Sequence, residues 1–255
     1  MPAWDRWKAE NDINHLEAGT FRLLGLLYRN LVRVGVDPAD PLLPRLRGIY
    51  RNFWTKNQIV LGRKGTVLKA LAAEGIPCML LKGAGLTLTV YRDHGVRPMD
   101  DFDLLVPLSR VGQAMDILEG LGWQSQVHAP RELPASIHAC SFRDAAEATI
   151  DLHWRLCHLP AGRDFDRTLW EGRQLLELHG EPAGVPCATD QFLHTCAHVL
   201  STRLSRRCAG LPMLISSCNR RGARLTGGGW RSMHPRWARF RGCRALWTIC
   251  RSIWR

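Results

Sequence analysis

The segment Arg97-Pro98-Met99-Asp100-Asp101-Phe102-Asp103-Leu104-Leu105-Val106-Pro107 constrains the fold more than any other part of the chain. Leu104 to Val106 is an apolar run stopped by a proline, and residues 102–106 read as a short buried strand. Side chains alternate faces along a strand, so Asp101 and Asp103 are expected on one side, with Phe102 and Leu104 turned into the core. Two carboxylates side by side at the start of a buried strand repel each other and are costly to desolvate. Something cationic has to relieve them. An oxygen-ligated divalent ion is one candidate; a capped turn paired with Arg97, His94 or Arg92 is the other. Asp100 points the opposite way and reads as a turn residue.

Two further runs frame this pair. Cys78 to Leu81 is apolar and ends in Lys82-Gly83-Ala84-Gly85, a buried strand running into a glycine turn, with Leu86 to Tyr91 as a short helix behind it. Ala148 to Trp154 alternates apolar residues with Asp151 and His153, which gives another strand carrying an expensive charge. Leu108 to Leu121 reads as a helix closed by Gly120 and Gly122, and Trp123 to Val127 and Ser136 to Phe142 as further strands. Leucines 16, 23, 24, 27 and 31 recur at helical steps before the core, interrupted by a Pro- and Asp-containing loop at 36–41. After the core, Leu169 to Leu178 and Thr189 to Leu204 read as helix again.

Three carboxylates on neighbouring strands, beside a turn that can approach phosphate, suit two-metal phosphoryl or nucleotidyl transfer. One ion holds the triphosphate and the other lowers the pKa of the attacking hydroxyl. Rival nucleotide folds lack their marks. Gly83 and Gly85 begin a G-x-G-x-x-G pattern, but its third glycine is Leu88, and Asp103 opens its strand rather than ending it. No G-x-x-x-x-G-K-[ST], no G-x-S-x-G and no kinase motif occurs.

Hydrophobic residues make up 45% of the 255, enough for one sizeable core, which excludes a disordered or collagen-like chain. No uninterrupted apolar run reaches the ~18 residues of a membrane span, and Met1 to Lys8 lacks an apolar leader. A cytoplasmic protein without a membrane partner is therefore expected. Nine cysteines, an odd number with no C-x-x-C pair, read as reduced thiols rather than a disulfide framework or zinc ribbon.

The net charge is +12, but it is unevenly placed. No acidic residue follows Asp190, while thirteen arginines do, so residues 1–190 carry 22 basic against 23 acidic groups, a net of −1. From Ser216 to Arg255 there are ten arginines, no lysine, four tryptophans and Gly227-Gly228-Gly229. Guanidinium groups and indoles together are what a nucleic-acid arm offers.

Leu80-Leu81-Lys82-Gly83, then Tyr91, then Arg97 with Asp101-Phe102-Asp103-Leu104-Leu105-Val106, then Ile150-Asp151-Leu152-His153-Trp154 resemble the bacterial uncharacterised nucleotidyltransferase family of the DNA polymerase β-like superfamily. The resemblance covers roughly residues 15–205 and extends to Leu193-His194-Thr195-Cys196-Ala197-His198. It implies an α+β fold, with a mixed β-sheet core at 75–156 between helical segments at 1–74 and 157–213. It also implies that Gly83 and Ala84 lie by the triphosphate. Asp101 and Asp103 would bind Mg²⁺, or Mn²⁺ in its place, with Asp151 as third ligand and activator of the acceptor. Ala84 departs from the Gly or Ser usual at the second turn position, and the gap to Asp101 is longer than is common. The resemblance also ends before the tail. Residues 214–255 read as an aberrant segment, disordered or carried into a shifted frame, since out-of-frame reading of a GC-rich gene yields arginine with Trp, Gly and Cys.

The supporting residues each carry two readings. Lys82 meets a phosphate oxygen or is a solvated strand-end lysine. Arg97 grips phosphate or holds the carboxylate loop. His153 orients Asp151 or is a core histidine; Trp154 packs. His194 and His198 sit at i, i+4 without a third ligand and read as helix packing. The expected activity is transfer of a nucleoside monophosphate from an NTP, by default ATP, to an unidentified small-molecule or protein acceptor. The alternative is an inactive core with a nucleotide- or nucleic-acid-binding tail.

Overall fold

The computed structural model describes residues 2–126, 137–156, 163–192 and 194–195. The predicted start of a strand at Ser136, His198, the C-terminal helix beyond 195 and the tail at 214–255 lie outside these residues.

The N-terminal helices are α1 (Pro2–Glu10), α2 (Ala18–Phe21), α3 (Leu24–Arg33) and the 31-residue α4 (Leu43–Ala73). Trp4, Ile13, Leu24, Leu31 and Leu46 form their shared core. Asp40 is buried beside them and accepts hydrogen bonds from Trp4 Nε1 (2.8 Å) and Lys8 Nζ (2.7 Å). The second half of α4 turns Leu61, Val67, Leu68 and Leu71 onto the sheet, where they join the main core with Leu80, Leu104, Val111, Ala114, Leu118, Ile150 and Leu152.

Among the described residues the sheet has seven strands: β1 (Met79–Leu80), β2 (Asp103–Leu105), β3 (Gln124–Ser125), β4 (Ala139–Arg143), β5 (Thr149–His153), β6 (Gln174–Leu178) and β7 (Glu181–Val185). Their spatial order is β3-β4-β5-β2-β1-β7-β6. The ladders β2–β5 and β1–β7 are parallel and the others antiparallel, so the sheet is mixed and the fold α+β, as expected. After β1 come α5 (Lys82–Leu86) and a π-helical turn at Thr87–Tyr91, where a single short helix was expected. A 3₁₀ turn at Leu108–Arg110 leads into α6 (Val111–Gly120), and α7 spans Arg163–Glu171. Among the described residues no helix is long and apolar enough to cross a membrane.

One expectation fails. Leu169 to Leu178 is not a helix; α7 ends at Glu171, and Gln174–Leu178 pairs with Glu181–Val185 as a hairpin that extends the sheet through β1. His179 and Gly180 take φ of +54° and +83° between the strands. Two left-handed residues in succession are what a two-residue hairpin turn with the right twist requires, and glycine supplies the second without strain.

Candidate active site

Strand direction assembles the site. β1 runs antiparallel to β2, with Met79 opposite Leu105 and Leu80 opposite Leu104. The turn after β1 therefore lands beside the start of β2, where the acidic residues are. β2 runs parallel to β5, with Asp103 opposite Asp151 and Leu105 opposite His153. Lys82, Asp103 and Asp151 thus reach one end of the sheet from three separate segments. Leu81 N donates to the Asp103 carbonyl and Asp151 N to the Phe102 carbonyl, which locks the register.

Asp103 is 1% exposed. Its Oδ1 accepts from Lys82 Nζ at 2.5 Å and from His153 Nε2 at 3.0 Å. An ionised carboxylate can only accept, so His153 carries a proton on Nε2. Burial alone would push the Asp103 carboxyl up, but the His153 ring and the Lys82 ammonium outweigh it and hold the pKa at about 2. Among the described residues the other oxygen, Oδ2, is buried with no hydrogen-bond partner, as is His153 Nδ1. Asp151 is half-buried, and its Oδ1 accepts from Ser141 Oγ at 2.5 Å. Asp103, Asp151 and His153 each bring one donor atom within 4.8 Å of the others.

The remaining expected residues take different places. Asp101 is exposed just before β2. Loss of surrounding water raises its carboxyl pKa, and the charge of Asp103 adds to the effect. It stands outside the converging group of Asp103, Asp151 and His153. Lys82 holds a left-handed φ of +42°, a conformation that costs a residue with a Cβ roughly 1–2 kcal/mol. Gly83 and Ala84 are buried behind it in the first turn of α5, where backbone N–H groups have no partner within the helix. A Cβ on Gly83 would lie 3.2 Å from Met99 Cγ. The Arg97 carbonyl accepts from Asn57, and its guanidinium Nε is buried without a hydrogen-bond partner. Asp100 pairs with Arg22. The donors that meet Asp103 are therefore Lys82 and His153, not the Arg97, His94 or Arg92 that spacing offers. Trp154 is buried and donates to the Ile137 carbonyl, and His194 is buried.

Sequence reasoning missed the residues that support the acids. Asn57, fully buried, donates to the His94 carbonyl (2.6 Å) and the Arg97 carbonyl (2.7 Å) and accepts from Met99 N (2.9 Å). The signal was present: Phe53, Asn57 and Leu61 are four residues apart on one helix face, and a polar residue inside such a stripe needs a buried partner. Ser141 had no signal, since only the β4–β5 register sets it opposite Asp151.

An oxygen-ligated divalent ion fits this set. Asp103 and Asp151 offer it carboxylate oxygens, the donors that Mg²⁺ and Mn²⁺ prefer, while His153 directs its Nε2–H to Asp103. The orphaned Asp103 Oδ2 is such a donor.

Several solved structures are similar to part of the chain. The antibiotic-resistance factor ANT(2'')-Ia is 13% identical, with a TM-score of 0.42 over 57% of this chain and 74% of its own. The lincosamide antibiotic adenylyltransferase LnuA, solved with lincomycin bound, is 13% identical, with a TM-score of 0.36 over 50% and 80%. An antigenic nucleotidyltransferase-like protein from Paracoccidioides brasiliensis is 13% identical, with a TM-score of 0.34 over 65% and 69%. No curated protein matches the chain significantly. Residues 18–214 match the family described as uncharacterised nucleotidyltransferase, and the chain belongs to that family.

Proposed function

We propose that the protein transfers a nucleoside monophosphate from an NTP, with ATP as the default donor, to a small-molecule or protein acceptor. The observation that carries this reading is the in-register pair of Asp103 and Asp151 on adjacent parallel strands, with one buried carboxylate oxygen that has no partner among the described residues. Asp101, Asp103 and Asp151 would hold Mg²⁺ or Mn²⁺, which when bound supplies Lewis-acid stabilisation of the triphosphate charge and acidifies the acceptor hydroxyl.

The chain's own groups supply the rest. Lys82 and the N–H groups of Gly83 and Ala84 bind phosphate oxygens, and Arg97 adds a guanidinium at the edge of the acidic loop. Asp151 takes the proton from the acceptor hydroxyl while Ser141 fixes its orientation. The acceptor oxygen forms a bond to the α-phosphorus, the bond from that phosphorus to the bridging oxygen breaks, and pyrophosphate leaves. His153 keeps Asp103 ionised and facing the site.

A screen of labelled NTPs with Mg²⁺ or Mn²⁺ against candidate acceptors tests the proposal. Divalent-dependent pyrophosphate release that disappears in Asp101→Ala and Asp103→Ala is the expected result. Turnover indifferent to both substitutions would reject it.

A further inference from the structure

Asp103 Oδ1 is already saturated. It accepts from both Lys82 and His153, and a carboxylate oxygen has two lone pairs to give. Its partner oxygen is buried and has no donor among the described residues. A divalent ion drawing fully on this carboxylate must share space with an ammonium 2.5 Å from Oδ1. Two cations so close repel, and the low local polarity of a buried site strengthens the repulsion. Lys82 is the most exposed of these three side chains. Its side chain is 18% exposed, against 1% for Asp103 and 2% for His153. It stands on a left-handed residue at the mouth of the glycine turn, beside the amides of Gly83 and Ala84.

We propose that Lys82 substitutes for the metal's charge in the nucleotide-free protein, holding Asp103 until an incoming triphosphate draws the ammonium away and frees the carboxylate for the divalent ion. This rests on the metal-dependent nucleotidyl-transfer reading. Lys82 is then more than a phosphate ligand. It keeps the carboxylate paired when the site is empty and makes metal loading depend on the nucleotide, a coupling that acts equally in both directions.

Mn²⁺ binding, followed by electron paramagnetic resonance without nucleotide, and thermal unfolding with and without Mn²⁺ test the proposal on wild type, Lys82→Met, Lys82→Arg and Asp103→Asn. Lys82→Met is expected to bind Mn²⁺ about tenfold tighter than wild type. Its melting temperature without metal falls, and Mn²⁺ restores it. Lys82→Arg keeps the charge and behaves as wild type; Asp103→Asn binds no Mn²⁺. If Lys82→Met does not fold in either buffer, Lys82→Gln replaces it with the same expectation. Tighter Mn²⁺ binding without loss of metal-free stability overturns the proposal, because Lys82 would then merely repel the ion. Equal affinity in wild type and Lys82→Met overturns it while leaving the metal reading in place. Mn²⁺ binding by no variant, or binding indifferent to Asp103→Asn, overturns both together.

Discussion

Asp103 and Asp151 lie side by side in register on two parallel strands, the first held by Lys82 and His153 and the second by Ser141. Replacing either acid by its isosteric amide keeps the shape and removes the charge. Asp103→Asn and Asp151→Asn are expected to lower NTP-dependent pyrophosphate release by more than about 100-fold. Loss of an outer partner alone costs 10–100-fold at metal sites, so Ser141→Ala should fall about tenfold. Equal effects of Ser141→Ala and Asp151→Asn would show that Ser141 does more than orient.

Acid should weaken the protein through the same carboxylate. The Asp103 pKa is held near 2 against 3.8 for an ordinary aspartate. A depressed folded-state value means that its stabilisation is complete above about pH 4 and disappears as the pH falls through 2. The shift corresponds to about 2 kcal/mol. Chemical denaturation of wild type and Asp103→Asn across pH 2–7 should give curves whose gap narrows toward pH 2. A constant gap would mean that Asp103 is not the titrating group.

Asn57 closes three hydrogen bonds to the loop that carries Arg97 and the acids. Asn57→Ala strands two carbonyls and one N–H in the interior, at about 3 kcal/mol in all. A lower melting temperature together with reduced turnover is expected. Asn57→Asp should be worse, since a carboxylate has no N–H for the two carbonyls. Unchanged turnover in Asn57→Ala would separate loop bracing from activity.

Gly25 on α3 meets the same loop closely. A Cβ there would lie 2.1 Å from the Gly95 carbonyl oxygen, a backbone atom that cannot rotate away. Gly25→Ala should destabilise by roughly 1–3 kcal/mol, as overpacking does, whereas Gly19→Ala meets nothing within 4 Å and serves as the control. Equal melting temperatures would indicate that the helix slides freely over the loop.

Lys64 tests the opposite face of the sheet. It is 1% exposed, its ammonium lies 4.0 Å from the centre of the Trp123 ring, and its Nζ has no hydrogen-bond partner among the described residues. Burial lowers its pKa from 10.5 to about 8. The unfolded chain then binds more protons between pH 8 and 10.5, so this residue makes stability rise with pH across that window. Below pH 8 the penalty is full, about 3 kcal/mol, offset in part by the cation–π contact. Lys64→Met is expected to stabilise the protein at pH 7 and to lose the advantage by pH 10.5. Comparing the two proteins cancels the effect of Cys78, whose thiol burial pushes up to about 12.

Much of the core was legible because strands advertise themselves. Asp103 and Asp151 each sit among apolar residues with a period of two, and no helix accommodates that pattern. Asp100 was readable only as a turn residue and Arg97 only as a phosphate grip or a holder of the loop, because their partners, Arg22 and Asn57, are 78 and 40 residues away. The β6–β7 hairpin was hidden for a different reason. Leu169, Leu175, Leu176 and Leu178 can be spaced onto a helix, and the deciding feature is the His179-Gly180 turn between them. The pairing of Lys82 with Asp103 follows from an antiparallel ladder, which a linear reading does not display. The family match stops at residue 214, where the arginine-rich composition takes over.

The acidic loop hangs from helices that carry no chemistry themselves: Arg22 holds Asp100, Tyr50 hydrogen-bonds to Asp93, and Asn57 takes the two carbonyls between. Such a suspension works like the adjusting screws of an optical mount. Small residue changes in α3 or α4 can shift the aim of Asp101 without altering a single reacting group. Libraries built to broaden or narrow acceptor choice should therefore vary the N-terminal helices as well as the pocket.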